Sequence, residues 1–169
     1  MTSFAAVLMG SDSDLPTMQH TIDTLKKLGI SHEVRVTSAH RTPEQTHQYV
    51  KDAEKRGCAV FIAAAGLAAH LAGAVAANTT KPVIGVPLAA GSLEGMDSLL
   101  STVQMPGGIP VATVAIGKPG AQNAAYLAAQ MMALTDSKIA AKLKADRESM
   151  ITQVQQKNDE LQKKLNEQR

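Results

Sequence analysis

The sequence predicts an α/β protein with three layers, in which a parallel sheet lies between helices on both faces and a helical extension follows. Three observations predict this class. Short apolar runs and segments of helical periodicity alternate about five times along residues 1–136, an order typical of parallel sheets. Gly or Pro marks most junctions between them. Neither residue occurs after Gly120, and residues 137–169 combine many charges with a thin apolar stripe.

The first three elements are marked by their apolar patterns and by glycine. Phe4–Met9 is a continuous apolar run that ends at Gly10, as expected of a strand buried on both faces. Leu15–Leu28 has apolar residues at helical spacing, and Gly29 follows as a helix stop. His32–Val36 alternates in polarity and is predicted to be the second strand.

A second helix is predicted over residues 42–56 by its N-terminal signals. Thr42 is a suitable N-cap, Pro43 takes the first helical position, and Gln45 completes a capping box. The alternation then continues to the end of the domain. We predict strands over residues 59–65, 83–86 and 111–116, and helices over residues 68–78, 93–103 and 122–134.

The same pattern divides the chain into two parts. Residues 1–136 form the predicted α/β domain, and residues 137–169 form an amphipathic helix. The apolar stripe of this helix is thin, which favours a helix that packs on a neighbouring subunit over a separate domain. The stripe consists of Ile139, Leu143, Met150, Val154, Leu161 and Leu165.

Composition excludes several classes of function. A formal net charge of +2 and 2% aromatic residues argue against a nucleic-acid partner. The apolar runs are too short to span a membrane, and the N-terminus has no basic region typical of a signal peptide. Cys58 is the only cysteine, so neither an internal disulfide nor a multi-cysteine zinc site is possible. We therefore expect a soluble cytoplasmic protein.

The middle of the chain has unusually little charge. Between Gly57 and Gly117 the charged residues are Lys81, Glu94 and Asp97. A small domain rarely exposes so much uncharged surface, so we expect other copies of the chain to cover part of it. The sequence therefore predicts a homo-oligomer.

The loop "GSDSD" follows the first predicted strand, at the sheet edge where ligands bind in parallel α/β proteins. Ser11 and Ser13 supply hydroxyls next to a helix N-terminus, which suits a phosphate group. Asp12 or Asp14 could bind sugar hydroxyls or a cation. The alternative is that Ser13 or Asp14 only caps the helix.

The loop "TSAHRT" follows the second predicted strand and reaches the same edge. Arg41 can bind a phosphate with two hydrogen bonds, and Ser38 can add a hydroxyl. His40 can donate or accept a proton near neutral pH. Taken alone, His40 could be incidental, but its position beside Arg41 and opposite a Ser/Asp loop favours a catalytic role.

The segment "AAAGLAAHLAG", which follows the third predicted strand, has very small side chains. Gly66 and the alanines would let backbone amides approach a flat ring and would line a dry pocket. His70 is predicted to lie about one turn into the following helix, where it is either a structural or a catalytic histidine. Apart from Asp12 and Asp14, no residues show metal-ligand spacing, so no metal ion is expected.

These motifs together resemble one enzyme family. "MGSDSD", "SAHRTP", "GLAAHLAG", "VIGVP" and "GMDSLLSTVQMPGGIPVATVAIGKPGAQNAA" are similar to the bacterial-type N5-carboxyaminoimidazole ribonucleotide mutases of purine biosynthesis, over residues 4–135. The resemblance implies a flavodoxin-like, nucleotide-binding catalytic domain, a homo-octamer, and transfer of a carboxyl group from an exocyclic nitrogen to ring carbon 4. It also implies that the reaction needs no metal, cofactor or ATP.

The resemblance also implies roles for individual residues. His40 matches the catalytic histidine. The remaining matches are substrate contacts. Ser11 and Arg41 match the phosphate contacts, with Ser13 and Ser38 nearby, and Asp14 matches the ribose contact. Residues 66–70, which include Gly66 and His70, match the loop that faces the base and the migrating carboxyl group.

The chain departs from the family pattern "GAGGAAHLPG" at three positions. Ala64 and Leu67 stand where this pattern has glycine, and Ala72 stands where it has proline. Leu67 adds bulk where the backbone is expected to approach the base. The retained "AAHL" favours a mutase over the related enzymes that carboxylate aminoimidazole ribonucleotide directly with carbon dioxide, which stay the alternative.

Two other α/β classes fit less well. A phosphoacceptor receiver module would account for Asp12, Asp14 and Lys118, but the third predicted strand ends in "AAAG" and offers no aspartate to phosphorylate. A flavodoxin that binds FMN needs aromatic residues to stack on the flavin. The chain has only two Phe, two Tyr and no Trp.

Overall fold

The structure, a computed structural model, describes residues 3–167. Five parallel strands form one sheet in the order β2-β1-β3-β4-β5. The strands are β1 (Phe4–Met9), β2 (His32–Val36), β3 (Cys58–Gly66), β4 (Val83–Leu88) and β5 (Ala112–Thr113). The helices are α1 (Leu15–Leu28), α2 (Pro43–Lys55), α3 (Leu71–Ala76), α4 (Met96–Val103), α5 (Lys118–Ala133) and α6 (Ser137–Glu167).

The predicted fold class is confirmed, because this strand order is that of flavodoxin-like sheets and helices cover both faces. β1 illustrates the arrangement, since all six of its residues are buried. Ala5, Val7 and Met9 pack in the core shared with α1, α5 and α6, and the residues between them pack in the core shared with α2 and α3. This alternation follows from the two-residue period of a strand.

Helix α5 lies close to the sheet and to α1 because its inner face consists mainly of alanine. Ala121, Ala124 and Ala128 are fully buried. Thr21 in α1 is also fully buried, and its hydroxyl donates a hydrogen bond of 2.7 Å to the carbonyl of Ala121. Small side chains therefore allow close packing of α5 in a chain that has few aromatic residues.

The first part of α6 packs on its own subunit. Asp146 is 7% exposed, forms an ion pair with Lys27 of α1, and accepts a hydrogen bond of 2.6 Å from the hydroxyl of Tyr126 in α5. Burial favours the protonated form of Asp146, but hydrogen bonds from Lys27 and Tyr126 outweigh it and hold the pKa of this carboxyl below its usual range. Residues 151–167 are exposed. The predicted contact with a neighbouring subunit stays a prediction for this outer part.

Several predicted boundaries differ from the structure. The helix predicted over residues 68–78 spans Leu71–Ala76, because a turn precedes it. The helix predicted over residues 93–103 begins at Met96, since Glu94 and Gly95 have left-handed backbone conformations. The strand predicted over residues 111–116 is limited to Ala112–Thr113, which pairs with β4 at the sheet edge.

The capping box predicted at Thr42 and Gln45 is wrong. The Thr42 hydroxyl turns away from the helix, accepts a hydrogen bond of 2.9 Å from the Ser38 N–H and makes no cap bond to α2. A capping box occurs instead between Ser11 and Asp14, before α1.

Within residues 3–167, none of the helices is both long enough and apolar enough to cross a membrane.

Candidate active site

A cavity of about 460 Å³ opens at the carboxyl ends of the strands, between the loops that follow β1, β2, β3 and β4. Side chains or backbone from all four loops line it. The eight residues to which the resemblance assigns roles all lie in this lining: Ser11, Ser13, Asp14, Ser38, His40, Arg41, Gly66 and His70. Asp12, the other carboxylate considered from the sequence, is not part of it. The crossovers of the parallel sheet bring these residues together from positions far apart in the chain.

The loop after β1 is held by its own hydrogen bonds. The Ser11 N–H donates to a carboxylate oxygen of Asp14 at 3.1 Å, and the Ser11 hydroxyl accepts from the Ser13 N–H at 3.3 Å. The Ser13 hydroxyl lies 2.8 Å from that of Ser11. Two hydroxyls therefore lie together at the cavity wall, where both can donate hydrogen bonds to an anion.

Asp14 is half-buried at the base of this loop. Burial raises the pKa of its carboxyl, although hydrogen bonds from the Ser11 and Gly10 backbone oppose the shift. The sequence left open whether Asp14 caps the helix or contacts a ligand. In the structure, the carboxylate caps the loop and also lines the cavity.

The loop after β2 places a cation against the first loop. The Arg41 guanidinium donates a hydrogen bond of 3.3 Å to the Gly10 carbonyl, and the Arg41 N–H donates to the Ser38 hydroxyl at 3.1 Å. Arg41 is otherwise exposed at the cavity. Its remaining N–H groups can therefore bind an anion held beside Ser11 and Ser13.

The two histidines of the cavity face each other. The ring centroids of His40 and His70 are 5.3 Å apart, and the rings are tilted by 50°. His70 does not lie one turn into a helix, as expected, but at the N-cap of α3, where its side chain makes no cap bond. The helix starts late because Leu67 adopts a left-handed conformation and the Ala69 N–H closes a tight turn on the Leu67 carbonyl at 2.8 Å.

The wall opposite Arg41 is built from small residues. A Cβ atom at Gly66 would lie 3.0 Å from Cβ of Ala90 and 3.4 Å from the Leu88 carbonyl oxygen, so the backbone here approaches the next loop closely. Ala90, in the loop after β4, also lines the cavity and was not singled out from the sequence. An alanine has no functional group, so the sequence alone gives little reason to select it as a site residue.

Among residues 3–167, the side chains of His, Cys, Asp and Glu form no group of three or more that could hold a metal ion. That the reaction proceeds without metal or cofactor stays a prediction. The site as built combines hydroxyls, a guanidinium, two imidazoles and a narrow apolar wall. Such a set can bind a phosphorylated nucleotide and transfer protons on its ring.

Comparison with known proteins identifies related chains. The family model described as "AIR carboxylase" matches residues 5–153. An N5-carboxyaminoimidazole ribonucleotide mutase of Bacillus subtilis is 51% identical over 161 residues, which cover 95% of this chain and 99% of that protein. A mutase of the same name from Pseudomonas aeruginosa is 58% identical over 132 residues, which cover 78% and 81%. The crystal structure of Treponema denticola PurE has a TM-score of 0.85 and 32% identity, with 94% and 98% covered.

Proposed function

This chain belongs to the AIR carboxylase family, and we propose that it is an isomerase of purine biosynthesis that converts N5-carboxyaminoimidazole ribonucleotide into the isomer carboxylated at ring carbon 4. The observation that carries the proposal is the convergence of His40, Arg41 and the Ser11–Ser13 pair on one cavity. The identity of 51–58% to mutases from two bacteria supports the same activity.

The nucleotide is held at its phosphate and ribose. Arg41 and the hydroxyls of Ser11, Ser13 and Ser38 bind the phosphate dianion through charge-assisted and neutral hydrogen bonds. Asp14 accepts hydrogen bonds from the ribose hydroxyls. Because these groups lie in the loops after β1 and β2, the imidazole ring of the substrate extends toward Gly66 and His70 in the loop after β3. His40, whose ring faces His70, lies beside this path.

The first step releases carbon dioxide. The imidazolium of His40 donates a proton to the exocyclic nitrogen of the carbamate, the bond between this nitrogen and the carboxyl carbon breaks, and the bonding electron pair stays on nitrogen. The products are carbon dioxide and aminoimidazole ribonucleotide. A single general acid is sufficient, because a carbamate decomposes readily once its nitrogen is protonated.

The second step forms the new bond. Carbon 4 of the electron-rich ring attacks carbon dioxide and becomes tetrahedral, with a hydrogen and a carboxylate attached. Neutral His40 removes this hydrogen as a proton, and its electron pair restores the aromatic ring. His40 thus recovers the proton it donated, and substrate and product are isomers. The loop from Gly66 to His70 holds the base and the carboxyl group, and it keeps carbon dioxide close to the ring.

We also propose a homo-octamer in the cytoplasm. The apolar residues Leu93, Met96, Leu100 and Val103 are exposed on and beside α4, as expected of surface that other copies cover. Residues 151–167 of α6 are a second candidate contact. A cytoplasmic location suits an enzyme whose substrate is a phosphorylated nucleotide. Light scattering during size-exclusion chromatography should give the mass of eight chains, and the mass of a monomer would overturn this assignment.

A substrate comparison tests the proposed activity against direct carboxylation, the alternative within the family. Purified protein is offered N5-carboxyaminoimidazole ribonucleotide without bicarbonate, ATP or metal, and separately aminoimidazole ribonucleotide with saturating carbon dioxide. We expect the first nucleotide to be converted much more efficiently. Turnover of the second nucleotide alone would establish the direct carboxylase instead.

A further inference from the structure

The ring of His40 lies at the cavity without a hydrogen bond that fixes its orientation. Within residues 3–167, the histidine rings that hydrogen-bond to protein atoms are those of His32 and His47, not that of His40. A residue that transfers protons is usually oriented by a further group. For His40, this role falls to the backbone of its own loop.

One hydroxyl joins the two ends of this loop, which comprises residues 38–42. Oγ1 of Thr42 accepts a hydrogen bond of 2.9 Å from the Ser38 N–H and donates one of 3.1 Å to the Ser38 carbonyl. The Thr42 N–H donates to the same carbonyl at 2.9 Å. His40 lies in the middle of the loop, so the Thr42 hydroxyl closes the backbone around it.

The end of the loop is fixed to the interior of the protein. The hydroxyl of Thr46, a residue 2% exposed, donates a hydrogen bond of 3.0 Å to the Thr42 carbonyl. The hydroxyl of Thr37 lies 2.6 Å from that of Thr46 and must be the donor, because a hydroxyl has only one proton to donate. The Thr37 N–H in turn donates to the Met9 carbonyl of β1 at 2.9 Å. The loop is therefore connected to both the sheet and α2.

We propose that Thr42 is a positioning residue, whose hydroxyl holds the loop so that His40 reaches both the exocyclic nitrogen and carbon 4 of the substrate. This inference rests on the proposed mutase function. The guanidinium of Arg41 has separate support, since it donates to the Gly10 carbonyl at 3.3 Å. Loss of the Thr42 hydroxyl should therefore slow proton transfer more than it weakens binding of the nucleotide.

The test compares three substitutions of Thr42 in steady-state kinetics with N5-carboxyaminoimidazole ribonucleotide. Thr42→Val keeps the shape of the side chain without its hydroxyl, Thr42→Ala does so without the risk of a clash, and Thr42→Ser keeps the hydroxyl. Thr24→Val is the matched control. Thr24 is 8% exposed, its hydroxyl donates a hydrogen bond of 2.7 Å to the His20 carbonyl, and it lies outside the cavity lining.

We expect kcat to fall about tenfold in Thr42→Val and Thr42→Ala, because small displacements of a reacting group have large effects on rate. This is less than the contribution of a general acid, which is roughly 100-fold or more. KM and the competitive inhibition constant of inorganic phosphate should change by less than about twofold. Thr42→Ser should retain most of the wild-type kcat. Thr24→Val should lower the melting temperature without lowering kcat.

Other results would overturn the proposal in distinguishable ways. If wild type does not convert the carbamate, the proposed function itself fails. A wild-type kcat in Thr42→Val and Thr42→Ala contradicts the role of Thr42 alone. A raised KM with weaker inhibition by phosphate and an unchanged kcat would place Thr42 in substrate binding. An equal loss of kcat in Thr42→Ser or in Thr24→Val would show that the hydroxyl of Thr42 is not the cause.

Discussion

Replacement of Arg41 by methionine separates binding of the phosphate from stability of the fold. Among the described residues, the guanidinium makes one hydrogen bond, of 3.3 Å to the Gly10 carbonyl, and the side chain is exposed. Substitutions at such positions change the free energy of unfolding by less than about 0.5 kcal/mol. The folded protein should therefore tolerate Arg41→Met.

The effect on catalysis should be much larger. Hydrogen bonds to charged groups contribute about 1.5–3 kcal/mol each. If Arg41 binds the phosphate with two of its N–H groups, a net loss of about 3 kcal/mol is a conservative value, since the two bonds are not independent. This loss corresponds to a fall in kcat/KM of roughly 100-fold.

Steady-state kinetics with the carbamate nucleotide measure this fall, and urea denaturation measures stability on the same preparations. Arg147→Met is the matched control, because Arg147 is also exposed but lies beside α5, outside the cavity lining. Inorganic phosphate should inhibit wild type competitively and inhibit Arg41→Met more weakly. A kcat/KM within twofold of wild type, with unchanged inhibition by phosphate, would refute the assignment of Arg41 to the phosphate.

Three further predictions concern the fold and the site. Phe61→Ala should lower the free energy of unfolding by about 3–5 kcal/mol in urea denaturation, because Phe61 is fully buried; a loss below 1 kcal/mol would contradict this account. Burial raises the pKa of Asp14, so its carboxyl contributes stability below the ordinary pKa of 3.8 and loses it as pH rises through the folded value. The unfolding free energy of wild type relative to Asp14→Asn should therefore fall from about pH 3.8 upward, and a rise would show the opposite shift. Asp146→Ala removes the acceptor of the Tyr126 hydroxyl and should cost about 1–3 kcal/mol. Trypsin should then cleave residues 137–167 sooner than in wild type, and equal cleavage rates would argue against anchoring of α6 by this contact.

Most of the fold could be predicted from the sequence, because its signals are local. The burial of Phe4–Met9 on both faces follows from a continuous apolar run, and the end of α1 follows from Gly29, which has a φ of 71°. The position of the cavity at one edge of the sheet follows from the same alternation of strands and helices. Once the strands are parallel, the loops that follow them must lie at one edge.

The errors occur where a side chain bonds to the preceding loop and not to the helix, or where a strained residue decides the conformation. Thr42 has the residue type of an N-cap, but its hydroxyl bonds to Ser38 in the loop before α2. The first turn predicted for α3 is replaced by a tight turn after Leu67, which no propensity scale predicts for leucine. The contact between His40 and His70 was also inaccessible to sequence analysis, since it depends on the late start of α3.

The central claim is that His40 transfers the proton in both halves of a carboxyl transfer. Ultraviolet absorbance follows the reaction as wild type, His40→Asn and His70→Asn are each mixed with the carbamate nucleotide, without bicarbonate, ATP or metal. We predict conversion by wild type, partial activity of His70→Asn and no conversion by His40→Asn, with all three proteins folded. Conversion by His40→Asn at the wild-type rate would contradict the account. Loss of conversion in His70→Asn alone would assign both proton transfers to His70.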